Sequence, residues 1–169
     1  MSSPTTMTID NSEDVARILA NDWVINGVLQ QTAFTLREGE TYISVNRPAI
    51  TSFTSDVTSF VRDHKNFRCE SQGNVTYQRA IINVGDVRSI VVTHDEQPLS
   101  IDVEVEPRDI FTKSHAGIFT RYGQKNIKKG DVLKIDNAAE LSADMMLLKV
   151  RLALLRLSTV ETCSLSPGG

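Results

Sequence analysis

TAFTLREGETYISVNR, residues 32–47, alternates apolar and polar side chains on either side of a Glu38-Gly39 pair. Glycine supplies the positive φ that tight hairpin turns require, so the stretch predicts a β-hairpin. With a period of two, Phe34, Leu36, Ile43 and Val45 share one face. Thr35, Arg37, Tyr42, Ser44 and Asn46 share the other. The apolar face is expected to be core. Counting on, Arg47 falls on that core side at the strand end, before a proline that stops the ladder. A guanidinium there needs water or an anion for its donors. Asp86 and Glu106, at expected strand ends, are the internal candidates. A ligand phosphate or carboxylate is the alternative.

Working outward, Asp10 and Glu13 have capping-box spacing. Val15, Ile18, Leu19 and Trp23 follow as a helical stripe that ends near Asn26-Gly27. After Pro48, Phe53, Val57, Phe60 and Val61 predict a second helix, opened by Ser52 or Thr54. His64 to Asn74 reads as loop. Four strands are expected at Thr76–Asn83, Asp86–Thr93, Leu99–Glu106 and Ala116–Tyr122, with a further one at Asp131–Asp136. Asp136 or Asn137 then caps a helix over Ala138–Ser158. That helix carries two apolar stripes, Leu141/Met145/Leu148/Leu152/Leu155 and Leu147/Val150/Leu154/Leu157. Such a helix is expected to be buried on more than one side, as a central core helix or, alternatively, a dimer contact. The fold class is therefore α+β. A mostly antiparallel sheet of five to seven strands is packed with two or three helices, the C-terminal one buried.

The chain has 169 residues, 40% of them hydrophobic, enough for one domain with an ordinary core. Residues 10–158 are expected to form it, with polar tails at 1–9 and 159–169. The two cysteines, Cys69 and Cys163, form no CxxC pair, which fits a reducing cytoplasm. The opening residues lack the pattern of a signal peptide, and no apolar run has membrane-spanning length.

Ile101-Asp102-Val103-Glu104-Val105-Glu106 sets three carboxylates in a row on one strand face. Such a row could bind a divalent cation or serve as acid and base; the reading taken is a solvated face, or one paired with an arginine of a neighbouring strand, Arg79 or Arg88. From Arg108 to Gly130 the balance reverses, with Arg108, Lys113, Arg121, Lys125, Lys128 and Lys129 against Asp109. Phe111, Phe119 and Tyr122 interleave, as in nucleotide or single-strand grooves. The net charge of −3 favours the plainer reading, a basic segment lying over the acidic strand, so nucleic acid is not the preferred partner. Within this segment small residues flank His115, which leaves it approachable by a ligand. No HExxH, CxxC, GxxxxGK[ST], GxGxxG or GxSxG occurs, so no metal or cofactor is expected.

Ala33-Phe34, Ser44–Arg47 (SVNR), Gly85–Ile90 (GDVRSI), a charged strand ending in Pro107 and Ser114–Ile118 (SHAGI) occur in that order. The order resembles a family of small bacterial proteins of unknown function, over roughly residues 23–155. The resemblance implies a cytosolic bacterial protein of the kind carried on mobile elements. It implies no activity, and it adds weight to Ser44, Arg47 and His115.

Two functions are carried forward from the sequence. The first is a non-enzymatic module that binds a partner protein, a second copy or a small anionic ligand. The second is an enzyme, or enzyme relative, acting on a phosphate-bearing substrate. In it Arg47 with Lys113 or Arg121 would hold the anion, with Ser44 nearby. His115 would transfer a proton and Glu106 would orient it.

Overall fold

The computed structural model describes residues 8–108, 112–135 and 139–165. Strand β1 (Asp14–Leu19) leads into the short pair β2 (Val24–Ile25) and β3 (Val28–Leu29). A 3₁₀ turn (Gln31–Phe34) precedes β4 (Tyr42–Asn46) and helix α1 (Phe53–Asp63). Next come β5 (Cys69–Ser71), β6 (Asn74–Asn83) and helix α2 (Val84–Arg88). The pair β7 (Thr93–His94) and β8 (Gln97–Pro98) leads to β9 (Ile101–Pro107), β10 (His115–Tyr122) and β11 (Lys125–Asn126). The chain closes with β12 (Val132–Ile135), β13 (Ala139–Ser142), helix α3 (Ala143–Leu157) and β14 (Thr159–Leu165).

The fold is α+β, with a larger sheet than expected: eight strands, all antiparallel. Across it the order is β9-β10-β4-β1-β6-β14. β11 continues the row of β4 along β10, and β5 continues the row of β1 along β6. Each face buries its own core. On one face Val15, Leu19, Ile43, Val45, Ile82, Val105 and Ile118 pack against Met146, Val150 and Leu154 of α3. On the other, Ala16, Ile18 and Tyr77 pack against Phe53, Val57 and Val61 of α1. The Phe53–Asp63 helix forms as its stripe predicts, although Phe60 remains more than a third exposed.

Several expected elements take another form. The Glu38-Gly39 turn is present, with Gly39 at φ 83° and Glu40 N–H donating to Arg37 O at 3.1 Å. The first hairpin arm is not a strand, because the 3₁₀ turn buries the adjacent Ala33 and Phe34 together. β4 pairs instead with β10 and β1. The expected first helix is β1, a strand buried on both faces. Covered on two sides, it shows no clean alternation, and its apolar residues mimic a helical stripe. The Asp10/Glu13 pair closes a turn, with Glu13 Oε2 accepting Asp10 N–H at 3.0 Å. Asn26 and Gly27, at φ 51° and 78°, are the β2–β3 hairpin turn and not a helix end.

The expected loop at 64–74 contains β5. The expected strand at 86–93 begins as α2, because Asn83 caps that helix by accepting Asp86 N–H at 2.9 Å. The last helix starts at Ala143 and not at Ala138, capped by Ser142; Asp136 and Asn137 lie outside the described residues. It is not buried on several sides. It buries Met146, Val150, Ala153 and Leu154, and it leaves Met145, Leu148 and Leu152 exposed. Neither end behaves wholly as a tail. Ile9 is in the core, and Thr159–Leu165 is strand β14, paired along β6.

Candidate functional site

Arg47 points to the core side of β4, as the pleat predicts, and is fully buried. Its anion is internal, but it is neither Asp86 nor Glu106. Nη2 donates to both carboxylate oxygens of Glu13 at 3.0 Å and to Thr8 O, and Nε donates to Glu13 Oε1 at 3.1 Å. Arg47 therefore clamps the turn before β1 onto the end of β4.

The open site lies on the other face of the sheet. β1 and β4 pair at a single position, Ala16 opposite Asn46, and then splay apart. Arg17 enters the gap. Its Nε donates to Ala33 O at 3.0 Å and its Nη1 to Ser44 O at 2.8 Å. Its guanidinium carbon lies 4.8 Å from the centre of the Trp23 ring. No carboxylate among the described residues pairs with it, and Nη2 makes no hydrogen bond there. Burial pulls its pKa down to about 10; Glu40 opposes this and Arg37 adds to it. The group stays charged at neutral pH with its countercharge largely unmet.

Above Arg17 opens a cleft of about 570 Å³. One wall is aromatic, formed by Trp23, Phe60 and Phe67. Phe67 stands edge-on to Trp23 at 5.6 Å and to Phe60 at 4.9 Å. Ser44, Asn46, Asp56 and His115 form the polar wall, with Arg37 and Glu40 also lining the cleft. Asp56 is held in place, its Oδ2 accepting Ser52 Oγ at 2.9 Å and Ser114 N–H at 3.2 Å. Asn46 Nδ2 donates to Ser114 Oγ at 2.9 Å. A wider trough between α1 and β6, about 780 Å³, includes Arg79, but Glu161 already meets that charge at 2.9 Å.

His115 opens β10 opposite Asn46. Its Nδ1 lies 2.8 Å from Arg108 O, so this nitrogen carries the proton and donates. Burial lowers the ring's pKa from its ordinary value; the hydrogen bond to the Arg108 carbonyl opposes this, and the charges of Arg108 and Arg17 add to it. Two residues on, Gly117 lies under the Tyr42 ring, which in turn carries the Arg108 guanidinium at 4.9 Å. A Cβ on Gly117 would sit 2.6 Å from Tyr42 Cδ2 and 2.9 Å from Cγ. Gly117→Val is therefore expected to displace Tyr42 and to destabilise the fold by about 1–3 kcal/mol, measured by thermal melting. A melting temperature equal to the wild type's would mean that the ring moves aside without cost.

The residues singled out from the sequence do not all meet. Ser44 and His115 line the cleft. Arg47 is sealed in the core with Glu13. Glu106 faces Gly117 across the β9–β10 ladder, but its carboxylate turns along the strand to Arg121 in a two-pronged pair at 2.7 Å. That pairing holds the Glu106 carboxyl below its ordinary range. Two of the three carboxylates of the acidic row are met by basic neighbours, Arg88 taking Glu104 and Arg121 taking Glu106, whereas Arg79 pairs with Glu161. Lys113 is exposed in the turn before β10 and forms no ion pair among the described residues. The trio of Arg47, His115 and Glu106 is consequently not assembled.

Arg17, Asp56 and the aromatic wall were missed. Residues 13–19 carried part of the signal: read as a strand they set a charged Arg17 in the apolar row of Val15 and Leu19, from which it turns into the gap between β1 and β4. Among the described residues no group of three His, Cys, Asp or Glu could hold a metal ion, and no helix is long and apolar enough to cross a membrane. Compared with known proteins, the chain matches no family model, no curated protein and no solved structure.

Proposed function

We propose that this chain is a binding module whose cleft takes a small ligand with an acidic group and a flat apolar body. The reading rests on Arg17. Two of its nitrogens are anchored by carbonyls, which fixes the guanidinium, and a third is left for the cleft. A largely enclosed cation that Glu40 meets only at a distance, with no carboxylate in hydrogen-bond contact, gains from an incoming phosphate or carboxylate. The Trp23, Phe60 and Phe67 wall supplies surface for a ring to pack on, and Ser44 and Asn46 supply polar contacts opposite.

Phenyl phosphate and benzoate are suitable probes, with inorganic phosphate and phenol as the two halves. Both ring-bearing anions are expected to raise the melting temperature saturably, more than either half alone. Arg17→Ala is expected to weaken binding about 10–100-fold, the equivalent of one charge-assisted hydrogen bond of ~1.5–3 kcal/mol. Arg17→Lys is expected to fail similarly, since an ammonium cannot hold both carbonyls and the ligand in one plane. Equal binding by wild type and Arg17→Ala would refute the assignment.

A further inference from the structure

We propose that α3 is a self-association surface, on which a second copy of this chain docks antiparallel. This goes beyond the ligand reading and does not depend on it. Met145, Leu148 and Leu152 are 47%, 37% and 41% exposed on a helix whose opposite face is fully packed. Their spacing of three and then four residues is that of a helix–helix seam. Beside the seam runs an apolar groove of about 400 Å³, with Leu36 and Leu147 in its walls.

The charges on the groove side select the occupant. Asp144 and Arg151 lie seven residues apart, two helical turns, on the same flank of the seam. A twofold axis near Leu148 brings the same flank of two antiparallel helices together. It sets Asp144 of each copy against Arg151 of the other, twice. A parallel arrangement would instead set this flank against the other one, which carries Lys149 and Arg156, and so bring Arg151 beside a like charge. Neither group is consumed within its own chain. Asp144 accepts one bond, from Gly130 N–H, and Arg151 donates only through Nε, to Gln31. On the other flank the Lys149 ammonium donates to the Thr93 carbonyl.

Sedimentation equilibrium on the full chain tests this. The wild type is expected to dimerise with a dissociation constant on the order of micromolar. Leu148→Asp is expected to be monomeric, with an unchanged circular dichroism spectrum. Asp144→Arg alone and Arg151→Asp alone each create two like-charge pairs, and each is expected to weaken the dimer roughly tenfold or more. Mixing these two variants restores both opposite-charge pairs and is expected to give a heterodimer as tight as the wild type. A wild type that stays monomeric at high concentration would overturn the proposal. So would a folded Leu148→Asp that dimerises normally, or a mixture no tighter than its components.

Discussion

Glu13→Ala is expected to lower the free energy of unfolding by about 3–5 kcal/mol, because it strands a fully buried guanidinium. For a chain of this length that corresponds to a fall in melting temperature of roughly 10 °C. The cost lies in the orphaned charge rather than in the lost attraction. Arg47→Ala should be comparably damaging, since it leaves a cavity and removes the clamp on Glu13 and the Thr8 carbonyl. Replacing the pair together, Glu13→Leu with Arg47→Met, should cost markedly less than either single change, because no charge is left behind. Thermal melting of the three variants decides the matter. A Glu13→Ala variant that melts like the wild type would show that water reaches Arg47. Neither change should alter the cleft, which opens on the opposite face of the sheet.

Truncation after Ser158 is expected to abolish cooperative folding. The deletion removes β14, which pairs with β6 from Thr159 opposite Ile81 to Leu165 opposite Val75. It strips cover from both cores at once, since Val160 packs with the first and Cys163 and Leu165 with the second. It also strands Arg79, which pairs with Glu161. These losses together rival the whole stability of a domain, ~5–15 kcal/mol. A truncated chain with a sharp melting transition within a few degrees of the full-length protein would contradict the structural role of β14.

The hairpin stretch shows what sequence pattern can and cannot carry. The pleat period correctly placed Ile43 and Val45 inward and turned Arg47 with them, because local geometry alone decides which face a strand residue takes. It could not name Glu13 as the partner. That contact depends on β1 lying beside β4, and β1 was hidden because a strand buried on both faces does not alternate. The same misreading concealed Arg17. In α3 the helical period marked two apolar stripes but could not say which one meets the sheet. Ala143 and Ala153, small residues on the packed face, were the available clue. β14 read as a tail because an edge strand needs few apolar residues; its order comes from the β6 ladder. The acidic row was legible in part: Arg88 meets Glu104 as expected, though from helix α2 rather than a strand, while Arg79 goes to Glu161 and Glu106 is met by Arg121 of β10.

The most direct test of the Arg17 cleft is a titration of ¹⁵N-labelled protein with phenyl phosphate, following the arginine Nε–H resonances. Arg17 Nε–H and the backbone amides of Ser44 and His115 are expected to shift together and to saturate, while Arg47 Nε–H stays in place. An Arg17 resonance that does not move, or that moves no more than that of the rim residue Arg37, would contradict the account.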